Sequence, residues 1–201
     1  VSKQAKLREY RTFVTRAVRQ PGTVGAVLPT SEHVARAVAE VVPASGTPTV
    51  LELGPGTGAL SGALRERLPD GSDHLAVEID PELVRYLNST KPWLEVIEGD
   101  ARHLVELLAA ANRTQVDAVI SSIPWTLLPA DQQRALLREV SKVLTKEGVF
   151  TTVTYVTTLW RANTIAFTEI LRETFEEVLP RSTVWRNVPP ARVYVCRRPR
   201  H

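Results

Sequence analysis

Leu51-Glu52-Leu53-Gly54-Pro55-Gly56-Thr57-Gly58 is the stretch from which the fold can be read. Thr49, Val50, Leu51 and Leu53 make a short β-branched and apolar run, the pattern of a buried strand. Three glycines on alternate positions follow at once. Without a Cβ, glycine lets the backbone turn sharply and lets a ligand lie against it. Ala59, Leu60, Ala63, Leu64 and Leu68 then recur at helical spacing. Strand, glycine loop and helix together make a nucleotide site at the carboxyl edge of a sheet.

Gly54 and Gly56, with Ala59 in the third place, also satisfy the dinucleotide pattern, so a nicotinamide or flavin enzyme and a bland tight turn stay open at this point. A dinucleotide loop sets a pyrophosphate on the helix N-terminus. Glu52, two residues before the first glycine, is expected to face the ligand edge, and a negative charge there suits a cationic ligand better. Glu-x-Gly-x-Gly-x-Gly resembles the first motif of class I methyltransferases. That resemblance implies S-adenosylmethionine as cofactor, contacted through Glu52, Gly54, Gly56 and Gly58.

Outward from the loop, strand and helix patterns alternate. Strands are expected at 49–53, His74–Ile79, Leu94–Ile97, Val116–Ile120 and Val149–Val156. Helices are expected near 59–68, from Pro81, over Ala101–Ala111, over Ala130–Leu144 and over 163–176. Two final strands, 178–186 and 191–197, meet through Pro189-Pro190. Such alternation implies an α/β fold: a mostly parallel Rossmann-like sheet with an antiparallel C-terminal hairpin and helices on both faces. Toward the N-terminus, Ser31 is a good N-cap for a helix through about Val42. Residues 4–19 place Leu7, Tyr10, Phe13, Val14, Ala17 and Val18 within an arc of about 140°, with arginines opposite. This amphipathic helix packs on the domain or lies in a membrane interface. The expected division is 1–22 as a membrane-associating helix and 23–201 as the methyltransferase domain.

Ligands in such sheets bind past the carboxyl ends of the strands, so the residues there decide the chemistry. Glu78, beside Ile79, lies about 20 residues beyond the glycine loop, the distance of an acid that accepts ribose hydroxyls. Asp80 before Pro81 fits a helix cap. Gly99-Asp100-Ala101 resembles the methyltransferase adenine contact, Asp100 accepting from the exocyclic amine and the Ala101 N–H donating to the ring. Helix capping is the alternative for Asp100. Ser121-Ser122-Ile123-Pro124-Trp125 stands where class I amino-group methyltransferases hold the target nitrogen. Adenine methyltransferases have Asn or Asp there; Ser122 departs from them. Ser122 and the Ile123 carbonyl are candidates to bind an amine. Trp125 stacks a base, faces a methylated ammonium or fills core. Tyr155, near the end of the fifth strand, touches a cationic amine, accepts its proton or is a structural strand tyrosine.

With these residues placed, most of the chain resembles the bacterial phospholipid N-methyltransferases, soluble enzymes that convert phosphatidylethanolamine to phosphatidylcholine. The resemblance includes Val24 to Ser31 and Val184-Trp185-Arg186-Asn187 with Pro189-Pro190-Ala191-Arg192-Val193, within which Gly25 to Ser31 and Trp185 to Val193 are the specific segments. The resemblance implies Tyr155, Ser122 and Trp125 around the reacting amine and Arg186 or Arg192 on the lipid phosphate. It implies a cytoplasmic enzyme peripheral to the inner face of the membrane. Ribosomal RNA adenine dimethyltransferases are similar through the core, which keeps an RNA adenine N6-methyltransferase as the rival.

Composition fits one soluble domain of 201 residues, 43% hydrophobic and 23% charged. No apolar run approaches the roughly 18 residues of a membrane span. The basic N-terminus lacks a continuous apolar stretch behind it, which points away from a signal peptide. One cysteine and four scattered histidines predict neither a disulfide framework nor a metal site. Net charge is +3, but Lys3, Lys6, Arg8, Arg11, Arg16 and Arg19 crowd one end and Arg197, Arg198 and Arg200 the other. Basic ends fit an anionic partner, a membrane surface or nucleic acid, and the resemblance favours the membrane.

Overall fold

The structure is a computed structural model and describes residues 31–200. The helix expected over 4–19, the 1–22 unit built on it and the segment up to Thr30 lie outside the described residues.

The described chain runs α1 (Glu32–Ala39), β1 (Thr49–Leu53), α2 (Ala59–Arg67), β2 (Asp73–Glu78), α3 (Pro81–Thr90), β3 (Glu95–Glu98), α4 (Leu104–Ala110), β4 (Val116–Ser121), α5 (Ala130–Val143), β5 (Leu144–Tyr155), α6 (Ala162–Thr174), β6 (Phe175–Val184) and β7 (Ala191–Pro199). Local chemistry sets several of these starts. The Ser31 hydroxyl caps α1 by accepting from the Val34 N–H, and Asp80 caps α3 through the Glu82 N–H with Pro81 in the first turn.

The seven strands lie in the order β3-β2-β1-β4-β5-β7-β6. Strands β1 to β5 are parallel, while β7 is antiparallel to both β5 and β6. Strand order reverses between β1 and β4, and a crevice opens at that switch point. The hairpin adds the expected antiparallel pairing, with β6 outermost. Pro180 in β6 has no N–H to give a ladder, which an edge strand tolerates.

Strand alternation builds a core on each face. Leu51, Leu53, Leu75 and Val77 point toward α4, α5 and α6 and meet Leu104, Leu108, Leu137 and Phe167. Val50, Ala118, Ile120 and Val193 point the other way, toward Val34 and Val38 of α1 and Leu60 and Leu64 of α2.

Boundaries differ from expectation in two places. Strand β5 begins at Leu144, because Leu144 already pairs with Val116 and the chain bulges before pairing resumes at Val149 with Ala118. Helix α6 ends at Thr174 and β6 starts with no loop between them, since Phe175 is drawn into the core against Phe150 at 5.5 Å.

Candidate active site

Three elements converge at the switch point. The first is the glycine loop after β1. Gly54, Gly56 and Gly58 all have left-handed backbone, φ +63°, +61° and +75°. A Cβ on Gly58 would also run into the Lys91 side chain and Leu87. Only glycine holds this path without strain and leaves the loop surface open.

The second is Glu78, at the end of β2 and 4% exposed. Its carboxylate accepts from the Gly56 N–H at 3.1 Å, the Ile79 N–H at 2.9 Å and the Asp80 N–H at 3.0 Å. Acid and loop are therefore one hydrogen bond apart. Burial pushes the Glu78 carboxyl above its ordinary value, against the pull of those three N–H groups.

Glu52 is placed differently from the expectation that it faces the ligand edge. It is 1% exposed, and its Oε1 lies 2.8 Å from His74 Nε2, beneath the sheet surface. The reason is alternation: Leu51 and Leu53 take one face, so Glu52 takes the other beside β2. Asp100 also has other partners. It caps the following turn through the Arg102 N–H at 3.0 Å and accepts from Arg102 Nε at 3.0 Å. Its helix-capping reading is thus realised, and an adenine contact would have to be shared with Arg102. Ala101 is buried beside it in the core.

The third element is the segment after β4. The Ser122 N–H donates to the Leu53 carbonyl at 3.0 Å, which fixes Ser122 against the glycine loop. Trp125, expected near the substrate amine, is 2% exposed. Its ring stacks on Phe167 at 5.2 Å and meets Phe150 edge-on at 5.8 Å. Its indole N–H donates to Ser121 Oγ at 2.9 Å. Of the three readings of Trp125, the core-filling one matches its surroundings, because both the ring and its one donor are already engaged.

Beside this segment lies a cavity of about 360 Å³ bordered by Ser121 to Leu127, Val153 to Tyr155, Thr158, Arg161 to Thr164, Asn187 and Ala191. Ser122 and Tyr155 both line it. Burial pushes the Tyr155 phenol above its ordinary value, so it stays protonated at neutral pH. Thr154 and Thr164 border the cavity with shielded hydroxyls that have no partner among the described residues. Neither Arg186 nor Arg192 lines it. Arg186 is exposed on the β6–β7 connection, and Arg192 shares a strand face with Tyr194 and Cys196, its Nη2 reaching Thr183 Oγ1 at 3.5 Å. Among the described lining residues the cation is Arg161.

Two further residues had no role of their own in the sequence reading. Gln133, 2% exposed, donates from Nε2 to the Trp125 carbonyl at 2.8 Å and to the Leu128 carbonyl at 3.0 Å, pinning the segment after β4. A polar residue in register with Leu136, Leu137 and Val140 on the apolar face of α5 was the signal. Asn187, 3% exposed, accepts from the Ser31 N–H at 3.1 Å and donates to the Pro189 carbonyl at 2.7 Å, tying α1 to the β6–β7 connection.

Residues 50–148 match the methyltransferase domain family. Over 194 residues the chain is 27% identical to the ornithine lipid N-methyltransferase of Singulisphaera acidiphila, covering 95% of this chain and 97% of that protein. It is 39% identical to ribosomal RNA small subunit methyltransferase A of Chlorobaculum parvum, over 79 residues that make up 39% of this chain and 27% of that protein. Among solved structures, a TehB-like SAM-dependent methyltransferase from Corynebacterium glutamicum superposes with a TM-score of 0.62 at 19% identity, covering 98% of this chain and all of that one. Human methyltransferase-like protein 13, in complex with SAH, superposes with a TM-score of 0.58 at 19% identity, over 94% of this chain and 82% of that one.

The residues present fit S-adenosylmethionine. The left-handed glycines leave the loop open to close approach, and Glu78 offers a shielded carboxylate within one bond of that loop. Glu78 and the N–H groups of the loop are the groups that would hold the cofactor.

Proposed function

We propose that this chain, an S-adenosylmethionine-dependent methyltransferase, methylates the amine of a membrane lipid, with phosphatidylethanolamine and its mono- and dimethyl forms as acceptors. The observation that carries this reading is the likeness to an ornithine lipid N-methyltransferase over nearly the whole of both chains. The partial likeness to ribosomal RNA small subunit methyltransferase A is confined to 79 residues, the span of a cofactor-binding core. Ornithine lipid, a second amine-bearing lipid, is the acceptor that this relative's name favours.

When bound, S-adenosylmethionine supplies a methyl group on a positively charged sulfur, which a nitrogen lone pair displaces in line. The acceptor amine must therefore be neutral. The cavity favours that state in two ways. Burial penalises an ammonium, and Arg161 at the cavity rim adds a like charge. The described lining holds no carboxylate to stabilise the ammonium. Tyr155 keeps its proton, so its role is to orient the amine through the phenol oxygen, with water taking the amine's proton before entry. Ser122 adds an acceptor for the amine's N–H groups. Arg161, in place of Arg186 or Arg192, is the group that meets the phosphate. Holding the nitrogen in line is where such a site gains most of its rate. The enzyme works from the cytoplasmic side, as a peripheral protein on the inner leaflet.

The test is incubation of the full chain with labelled S-adenosylmethionine and vesicles containing phosphatidylethanolamine or ornithine lipid. Labelled lipid is expected with the first, and Tyr155→Ala should lower turnover. Label in ornithine lipid alone would move the acceptor to that lipid. Label in RNA with none in either lipid would overturn the reading.

A further inference from the structure

Two Trp-Arg dipeptides, Trp160-Arg161 and Trp185-Arg186, stand in the two segments that give Arg161 and Asn187 to the cavity lining. The first follows β5 and enters α6; the second lies on the β6–β7 connection. The Val156 N–H donates to the Pro190 carbonyl at 2.8 Å, so both segments sit at the same end of the sheet, beside the cavity mouth. Trp160 is 73% exposed and Trp185 72%. Val188 and Ile165, at 79% and 52%, extend the apolar surface on either side. Residues 148–168 and 178–201 contain no Asp or Glu, and among the described residues neither Arg161 nor Arg186 pairs with a carboxylate.

A large exposed indole costs solubility unless it has a use. Tryptophan beside arginine is the chemistry of a membrane interface: the amphipathic ring sits at head-group depth and the guanidinium meets lipid phosphates. A protein partner would require pockets and opposite charge, whereas this rim offers unpaired positive charge and protruding rings. Resting on the lipid reading above, we propose that the rim formed by Trp160, Arg161, Trp185, Arg186 and Val188 is a bilayer-docking surface. It seats the cavity mouth on the head-group layer of an anionic membrane. A diacyl lipid then presents its amine to the cavity while its tails stay in the bilayer, so the lipid is never extracted into water.

The experiment uses the full chain and a Trp160→Ser/Trp185→Ser variant. Both are sedimented with vesicles of phosphatidylcholine containing phosphatidylglycerol, and both are assayed on a short-chain phosphatidylethanolamine kept monomeric in solution. The variant should lose about tenfold or more in vesicle partitioning. It should keep turnover on the monomeric acceptor, since neither ring lines the cavity. Vesicles with brominated upper acyl chains should quench the wild-type fluorescence, and the variant, which keeps Trp93 and Trp125, should lose that quenching. Equal partitioning and equal quenching in the two proteins would overturn the docking surface while leaving lipid methylation standing. Methylation of no lipid in any form would instead strike the acceptor reading, and vesicle partitioning would still report on the rim.

Discussion

Glu78 is pulled in opposite directions by burial and by hydrogen bonds, and the balance is testable. Its carboxyl sits above its ordinary value because desolvation outweighs the N–H groups of Gly56, Ile79 and Asp80. In the free protein the unfolded chain therefore releases this proton first. The stability owed to the neutral form is present at low pH and is lost as pH rises from the ordinary value through the raised one. Cofactor binding should run the other way, because only the ionised carboxylate accepts from two ribose hydroxyls. Thermal melts of the free protein and calorimetric titrations with S-adenosylmethionine should show these opposed slopes across one window. Glu78→Gln should flatten both and weaken the cofactor about tenfold to a hundredfold, since a charge-assisted hydrogen bond is worth about 1.5–3 kcal/mol. Unchanged affinity in a folded variant would remove Glu78 from the site. Glu52 gives the contrasting result. With its carboxylate against His74, Glu52→Ala should leave cofactor affinity nearly unchanged and cost about 1–3 kcal/mol of stability. A melting temperature equal to wild type would refute that structural role. The two acids also show what was legible. Spacing from the loop located Glu78, but the turn of Glu52 toward His74 depends on how β1 pairs with β2, which the pattern along one strand does not carry.

The element that most limits the acceptor side is the turn after β4. Trp125 to Leu128 is held from three directions: by Phe167, by Ser121 Oγ and by the side-chain amide of Gln133. Gln133→Leu keeps the size and removes both bonds, leaving the Leu128 carbonyl without its Gln133 donor and the Trp125 carbonyl with the Leu128 N–H alone. It should cost about 1–3 kcal/mol, and a 201-residue chain loses about 3 °C in melting temperature per kcal/mol. Turnover should fall further than cofactor affinity, because the loosened turn borders the acceptor cavity and the glycine loop lies across β1. A proportionate loss of both would place Gln133 in general stability alone. Elements were well marked in the sequence where apolar periodicity and caps agreed, as at Ser31, Asp80 and the β1 run. The cavity was not. Its lining comes from segments well apart in the chain, Ser121 to Leu127, Val153 to Thr164 and Asn187 to Ala191, and which arginine enters it depends on strand register and loop path. Arg192 faces Tyr194 and Cys196, while Arg161 reaches the cavity from the start of α6.

At the scale of the whole molecule the question is how a chain with no described helix long and apolar enough to cross a membrane would meet the proposed lipid acceptor, which is fixed in one. Two surfaces of different physical character bear on it. The rim around Trp160 and Trp185 is chiefly apolar, with two arginines. The N-terminal stretch carries Lys3, Lys6, Arg8, Arg11, Arg16 and Arg19 against a single Glu9, interspersed with Leu7, Tyr10, Phe13, Val14, Ala17 and Val18. Each cation near an anionic surface contributes about 1 kcal/mol, and salt screens that contribution while leaving apolar insertion in place. We therefore predict a division of labour. Removing residues 1–19 should abolish most of the salt-sensitive binding to phosphatidylglycerol vesicles and leave a weaker, salt-insensitive component that the tryptophan variant lacks. Cofactor affinity should survive the truncation, because the glycine loop, Glu78 and the turn after β4 are packed by elements from α1 onward. If residues 1–19 are instead part of the core, the truncated protein should melt far below wild type and lose the cofactor as well. Circular dichroism with a thermal melt, run beside vesicle sedimentation at low and high salt, separates these outcomes. A stable truncated protein whose vesicle binding keeps its full salt dependence would sink the role given to residues 1–19 and leave the attraction to the arginines of the rim.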